Sequence, residues 1–156
     1  MLINFFSLFL LLAAPAAPQA DVFKKDMEPL ESAVNGLIVS AGAQVLQRSR
    51  AAYLEGYGIV VSLEIAYIAP QGIFDTPKKP SEVRTLVTQR RRDVQEKVTA
   101  FIKQRVATTD SIGPTDSLAI VIHILNTNPA DIPNLPLQIV MAVKKENPQQ
   151  VAYREF

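Results

Sequence analysis

Residues 53–67 read YLEGYGIVVSLEIAY. Beyond Gly58 the odd positions Ile59, Val61, Leu63, Ile65 and Tyr67 are all apolar, while Ser62 and Glu64 interrupt the even ones. A period of two sends alternate side chains to opposite faces, so this stretch predicts a strand buried on one face only. Gly56 and Gly58 supply the positive φ angles that a tight connection needs, which makes Tyr53 to Gly58 a turn feeding the strand. The preceding residues, about Gln44 to Ala52, read as the strand that this turn folds back, closing an antiparallel hairpin.

Upstream, Met27, Leu30, Val34, Leu37, Ile38 and Ala41 recur at intervals of three and four. They predict an amphipathic helix with Asp26 as N-cap, Pro29 in its first turn and Gly42 as its stop. Downstream, Pro70, Gly72, Pro77 and Pro80 mark a surface loop. Ser81 then reads as the N-cap of a second helix, Glu82 to about Ala107, with Val83, Leu86, Val87, Val94, Val98 and Phe101 on its apolar stripe. Gly113 and Pro114 break the chain again. In Leu118 to Leu125 the residues Leu118, Ile120, Ile122 and Ile124 alternate with Ala119, Val121 and His123, the pattern of a strand. Leu137 to Lys145 reads as its neighbour, across a loop that holds Pro129, Pro133 and Pro136. From Asn147 the chain is polar, and Val151 and Tyr153 either fray or add to a sheet edge.

The order α-β-β-α-β-β predicts an α+β, two-layer sandwich: a mainly antiparallel four-stranded sheet with both helices on one face. It also hints at a duplicated helix-plus-hairpin unit, although residue identity between the halves is slight. The other sheet face carries Ser62, Glu64 and His123, and is either wet or a contact surface.

The 156 residues suit one domain, and 48% hydrophobic content is ordinary for a folded chain. Residues 1–20 read as a secretory signal followed by a single domain over 21–156. Leu2 to Ala14 is almost wholly apolar, and small residues follow, with Ala14 and Ala16 or Ala20 at candidate cleavage positions. The run is interrupted by Pro15 and Pro18 before it reaches the roughly 20 apolar residues of a bilayer span. The expected location is therefore secreted or periplasmic, with membrane attachment only if residues 1–20 are retained.

Several chemistries are excluded at once. The chain has no cysteine, hence no disulfide, thiolate nucleophile or cysteine metal site. No phosphate-binding loop, dinucleotide fingerprint, nucleophile elbow or zinc-protease motif occurs, so neither cofactor nor metal is implied. A formal charge of +1 gives no global field for nucleic acid. Arg90, Arg91 and Arg92, with Arg84, Lys97, Lys103 and Arg105, form a basic helix face, but no aromatic residues are interleaved to stack bases. A solvated face is the simpler reading, and no nucleic-acid partner is expected.

The catalytic candidates are His123, the one histidine, and Glu64, which would sit within reach if the two strands pair in register. The plainer reading of His123 is a half-exposed side chain. Arg90 falls within the apolar stripe of its helix, so it must snorkel, meet an acid such as Glu31, or bind an anion. Tyr53, Leu54 and Tyr57 offer rings and a leucine at a sheet end, suited to an interface or simply to packing over the end. The resulting expectation is an exported non-catalytic binding or structural domain with a macromolecular contact surface and a protein partner. The alternative is a small secreted hydrolase using His123 with a carboxylate.

Overall fold

The computed structural model describes residues 19–70, 72 and 76–156, with side chains from Lys24 onward. All but the last two residues of the expected signal segment lie outside them. No described helix is long and apolar enough to cross a membrane.

The elements run α1 (Gln19–Ser40), β1 (Gln44–Leu54), β2 (Gly58–Ala66), α2 (Pro80–Thr108), β3 (Ser117–Ile124), β4 (Gln138–Lys144) and β5 (Val151–Glu155). The class is α+β, as the sequence implies. The sheet, however, is five-stranded and mixed, in the order β1-β2-β3-β4-β5, not four-stranded and antiparallel. β2 and β3 run parallel, with Gly58 facing Ser117 and Ile65 facing Ile124. The cause is the 29-residue α2, which carries the chain back along the sheet before β3 begins. A strand that follows such a return points the same way as the strand before it. Two antiparallel hairpins, β1-β2 and β3-β4, thus meet along a parallel seam. The tail does not fray: β5 pairs with β4, placing Tyr153 beside Met141 and Val151 beside Val143.

Gly58 is the tightest point of that seam. Its φ is 117°, and a Cβ there would lie 2.1 Å from the carbonyl oxygen of Ser117. Only glycine fits both the angle and the approach.

Both helices cover the same face. Ile59, Val61, Leu63 and Ile65 of β2, Leu118, Ile120 and Ile122 of β3, and Ile139, Met141 and Val143 of β4 are buried in one cluster. Leu30, Val34 and Ile38 of α1 and Val94, Val98 and Ile102 of α2 belong to it, and the two helices touch.

The helix ends differ in part from their sequence expectations. α1 already includes Gln19, since Gln19 to Lys25 holds no breaker and Pro29 removes one donor without ending the helix. Asp26 therefore lies inside α1, where its carboxylate accepts the amide of Ser111 at 3.1 Å. Gly42, at φ 78°, does stop α1. The amide of Gly42 reaches the Val39 carbonyl and that of Ala43 the Ile38 carbonyl, the paired bonds of a Schellman end. Lys97 of α2 adds bonds to the Ser40 carbonyl at 3.1 Å and hydroxyl at 3.0 Å. At α2 the N-cap is Lys79, not Ser81. Pro80 takes the first helical position, where a missing N–H costs nothing, and the Glu82 carboxylate accepts the Lys79 amide at 3.3 Å.

α1 also seals β1. Register shifts between Val45 and Gln47 and between Gln47 and Arg50 break that strand's ladder. The Ser49 amide donates to Asn35 Oδ1 at 3.0 Å, and the Ala51 amide to Glu31 Oε1 at 2.7 Å. Glu31 is spent on the strand, so the Arg90–Glu31 ion pair, one of the three options for Arg90, does not form among the described residues. An orphaned strand amide is costlier than a guanidinium that can find a carbonyl. Arg90 donates to the Tyr67 carbonyl and lies against Gly42.

Tyr67 is 1% exposed, and its hydroxyl has no hydrogen-bond partner among the described residues. Burial, helped by Tyr153 and Glu155 and opposed by Arg91, pushes its phenol well above the ordinary tyrosine range. A pKa raised on folding contributes stability that is complete below the unfolded value near 10 and is lost as pH rises past it. The loss is at most about 1.4 kcal/mol per pH unit for each such phenol. Tyr67→Phe is therefore expected to be neutral or stabilising by about 1 kcal/mol near pH 7, because it removes an unsatisfied group. Urea unfolding at about pH 8 and about pH 11 checks this, with the variant losing about 1 kcal/mol less than the parent between them.

Candidate functional site

The face without helices is built by the alternate residues of four strands in register. One row is Val60, Ala119, Ala142 and Ala152. The next is Ser62, Val121, Val140 and Arg154, and a third is Glu64, His123 and Gln138. Small and β-branched residues thus hold the middle, with charge toward the border. Short side chains without a covering helix leave a shallow relief.

Over β4 and β5 this relief deepens into a depression of about 740 Å³. Val140, Ala142 and Ala152 line it, with Lys144, Glu146 and Arg154 as its charged groups and Tyr57 and Phe156 as its aromatic ones. Tyr57 is 40% and Phe156 63% exposed. The Lys144–Glu146 pair, at 3.3 Å, is exposed on both sides and so is readily exchanged.

His123 and Glu64 are register partners, as their proposed cooperation requires. His123 is nevertheless exposed on an open surface, and among the described residues no hydrogen bond links it to Glu64 or to a hydroxyl nucleophile. General-base chemistry needs such a contact within about 3.2 Å, or one water away. No group of three or more metal-ligating side chains occurs among the described residues.

The tyrosine turn divides by role. Tyr53 packs half-buried against the core, and its hydroxyl reaches Asp116 Oδ2 at 3.3 Å. Asp116 also accepts the Gly113 amide at 3.2 Å, so Tyr53 ties the turn to the loop before β3. The Tyr57 carbonyl accepts the Ser117 amide at 2.7 Å, which fixes the backbone beneath its exposed ring. Leu54, 49% exposed, opens the same turn, its carbonyl accepting the Tyr57 amide at 3.0 Å. Arg90 is half-buried and held by the Tyr67 carbonyl, on the helix side and away from this turn.

β5 is fastened to the helix layer by a polar cluster. Arg91 pairs with Glu155, which also accepts the Tyr153 hydroxyl. Burial and the Glu155 carboxylate push the Tyr153 phenol up to about 12. Desolvation raises Glu155, but hydrogen bonds from Tyr153 and Arg91 outweigh it and hold the carboxyl below its ordinary value. The latch positions β5, and with it Arg154 and Phe156 at the depression.

Phe156, Val140 and Ala142 are the site residues that sequence reasoning passes over. One signal is available: Gln138–Lys144 is apolar on both sides, with Val140 and Ala142 opposite Ile139, Met141 and Val143. A strand apolar on both faces predicts that its second face meets something.

No known family, curated protein or solved structure matches the chain.

Proposed function

We propose that this chain is an exported, non-catalytic domain that binds another protein through the sheet face its helices leave open. The observation that supports this reading is the depression over β4 and β5, which combines a small apolar floor, exchangeable charges and the exposed rings of Tyr57 and Phe156. Protein contacts favour that composition: aromatic anchors around an apolar centre with a polar rim. Leu54 and Tyr57 provide one anchor region, Phe156 another. Tyr53 and Arg90 act indirectly, by fixing the turn and the end of β2. Secretory export rests on the apolar run Leu2 to Ala14 and the small residues after it.

The test is a pair of surface changes, Val140→Glu and Phe156→Ser, made together in the tagged full-length protein. The double variant is expected to unfold within a few degrees of the parent, since surface substitutions cost about 0.5 kcal/mol or less and a half-buried strand position about 1. Proteins recovered with the parent from its own envelope or secreted fraction should be lost by at least tenfold with the variant. Equal recovery by a folded variant contradicts the proposal. The hydrolase alternative rests on the Glu64–His123 register alone. Under the binding reading, His123→Gln leaves any measured hydrolysis unchanged and removes nothing from the recovered set.

A further inference from the structure

A second surface, on the helix side, carries its own chemical signature. Between α2 and the 131–135 loop lies a cleft of about 490 Å³, and a shallower depression continues it along the helix. Arg84, Thr88 and Arg92 line both. Arg84 and Arg92 are eight residues apart, so at about 1.5 Å per residue they lie roughly 12 Å apart on one helix face. Ile132 and Leu135 of the opposite wall, both half-buried, supply apolar surface to the cleft.

The three arginines are not equivalent. Arg91, which also lines the cleft, is committed to Glu155. Arg84 has no ion pair among the described residues. Among the described residues Arg92 has an ion pair only with Glu96, at 3.6 Å, with side chains 74% and 68% exposed. Such a pair is worth little and exchanges easily. Asp131 stands on the loop wall, so negative charge is welcome along the helix and unwelcome along the loop.

We propose that this cleft receives an extended, acidic segment of a partner protein, with two carboxylates four residues apart flanking one apolar residue. In an extended chain, alternate residues share a side and rise about 3.3 Å each, so positions i and i+4 are roughly 13 Å apart. That span matches Arg84 to Arg92, with the carboxylates held by charge-assisted, fork-like bonds. With the segment lying over the mouth of the cleft, position i+2 points the same way, between the two arginines and down into the cleft, where Ile132 and Leu135 supply apolar surface. The site is separate from the open sheet face, and either can fail without the other.

The probe is a fluorescein-labelled, end-capped peptide, Glu-Thr-Leu-Thr-Glu, titrated by anisotropy with the full-length protein at low and high salt. Saturable binding that weakens at least tenfold in Arg84→Gln/Arg92→Gln is expected. The same loss is expected with Lys-Thr-Leu-Thr-Lys, and with Glu-Thr-Leu-Glu, whose second acid points the other way. Far-ultraviolet circular dichroism confirms that the variant, altered only at exposed positions, is folded. No saturable binding, or binding unchanged in the double variant, overturns the proposal. Displacement of the peptide by equimolar inorganic phosphate also overturns it, since a simple anion site would then suffice.

Discussion

Gly58→Ala is expected to destabilise the protein by about 3–5 kcal/mol, a large part of the roughly 5–15 kcal/mol that holds a domain of this size. Two costs add. At φ 117° an L side chain is strained by about 1–3 kcal/mol. The new methyl would also lie 2.1 Å from the Ser117 carbonyl oxygen and 2.8 Å from its amide nitrogen, both backbone atoms that cannot rotate away. Relief requires β2 and β3 to part at the start of the parallel seam, which loses the Ser117-to-Tyr57 bond as well. Gly56→Ala is the control. It shares the sign of φ, at 73°, but a Cβ there meets nothing within 4 Å. It should cost only about 1–2 kcal/mol. Urea unfolding of the two variants measures the difference, and equal losses would mean that strain alone, without the strand contact, governs Gly58.

The second large effect tests which face is covered. Ile120 and Val121 are adjacent in β3, yet Ile120 is 0% exposed beneath the helices and Val121 is half-buried on the reverse. Ile120→Ala should cost about 3–4 kcal/mol, the transfer of the lost methyl groups plus the cavity they leave between sheet and helices. Val121→Ala removes side-chain area from an open surface and should cost about 1 kcal/mol or less. A ratio near one in urea midpoints would mean that the reverse face is packed too.

What the sequence discloses, and what it withholds, follows from what periodicity measures. Alternation in Ile59 to Tyr67 and Leu118 to Ile124 reports which side of a strand is buried, and both strands form with those sides inward. It says nothing of which strand lies alongside, so the parallel pairing of β2 with β3 is invisible to it. The length of α2 holds the clue, since a helix that spans the sheet returns the chain to its starting end. β5 is weak in sequence because only Val151 and Tyr153 mark it. Its place depends on the Arg91–Glu155–Tyr153 latch, a contact across 64 residues. Arg90 is legible as a charge in an apolar stripe, but its acceptor is a main-chain carbonyl, which no residue letter encodes. Glu31 behaves likewise, its carboxylate answering the main-chain amide of Ala51 on the edge strand β1. At the candidate site, Leu54 and Tyr57 stand out as exposed apolar residues in a turn. Phe156 does not, because only the docking of β5 brings it to the same face.

Site-specific photo-crosslinking tests the open-face proposal most directly. A benzoylphenylalanine placed at Val140, on the uncovered face, is irradiated in the native cells beside a control at the exposed Gln104 of α2. Binding through the sheet face requires a discrete protein adduct from position 140 and none from position 104. No adduct at 140, or the same adduct from both positions, would contradict it.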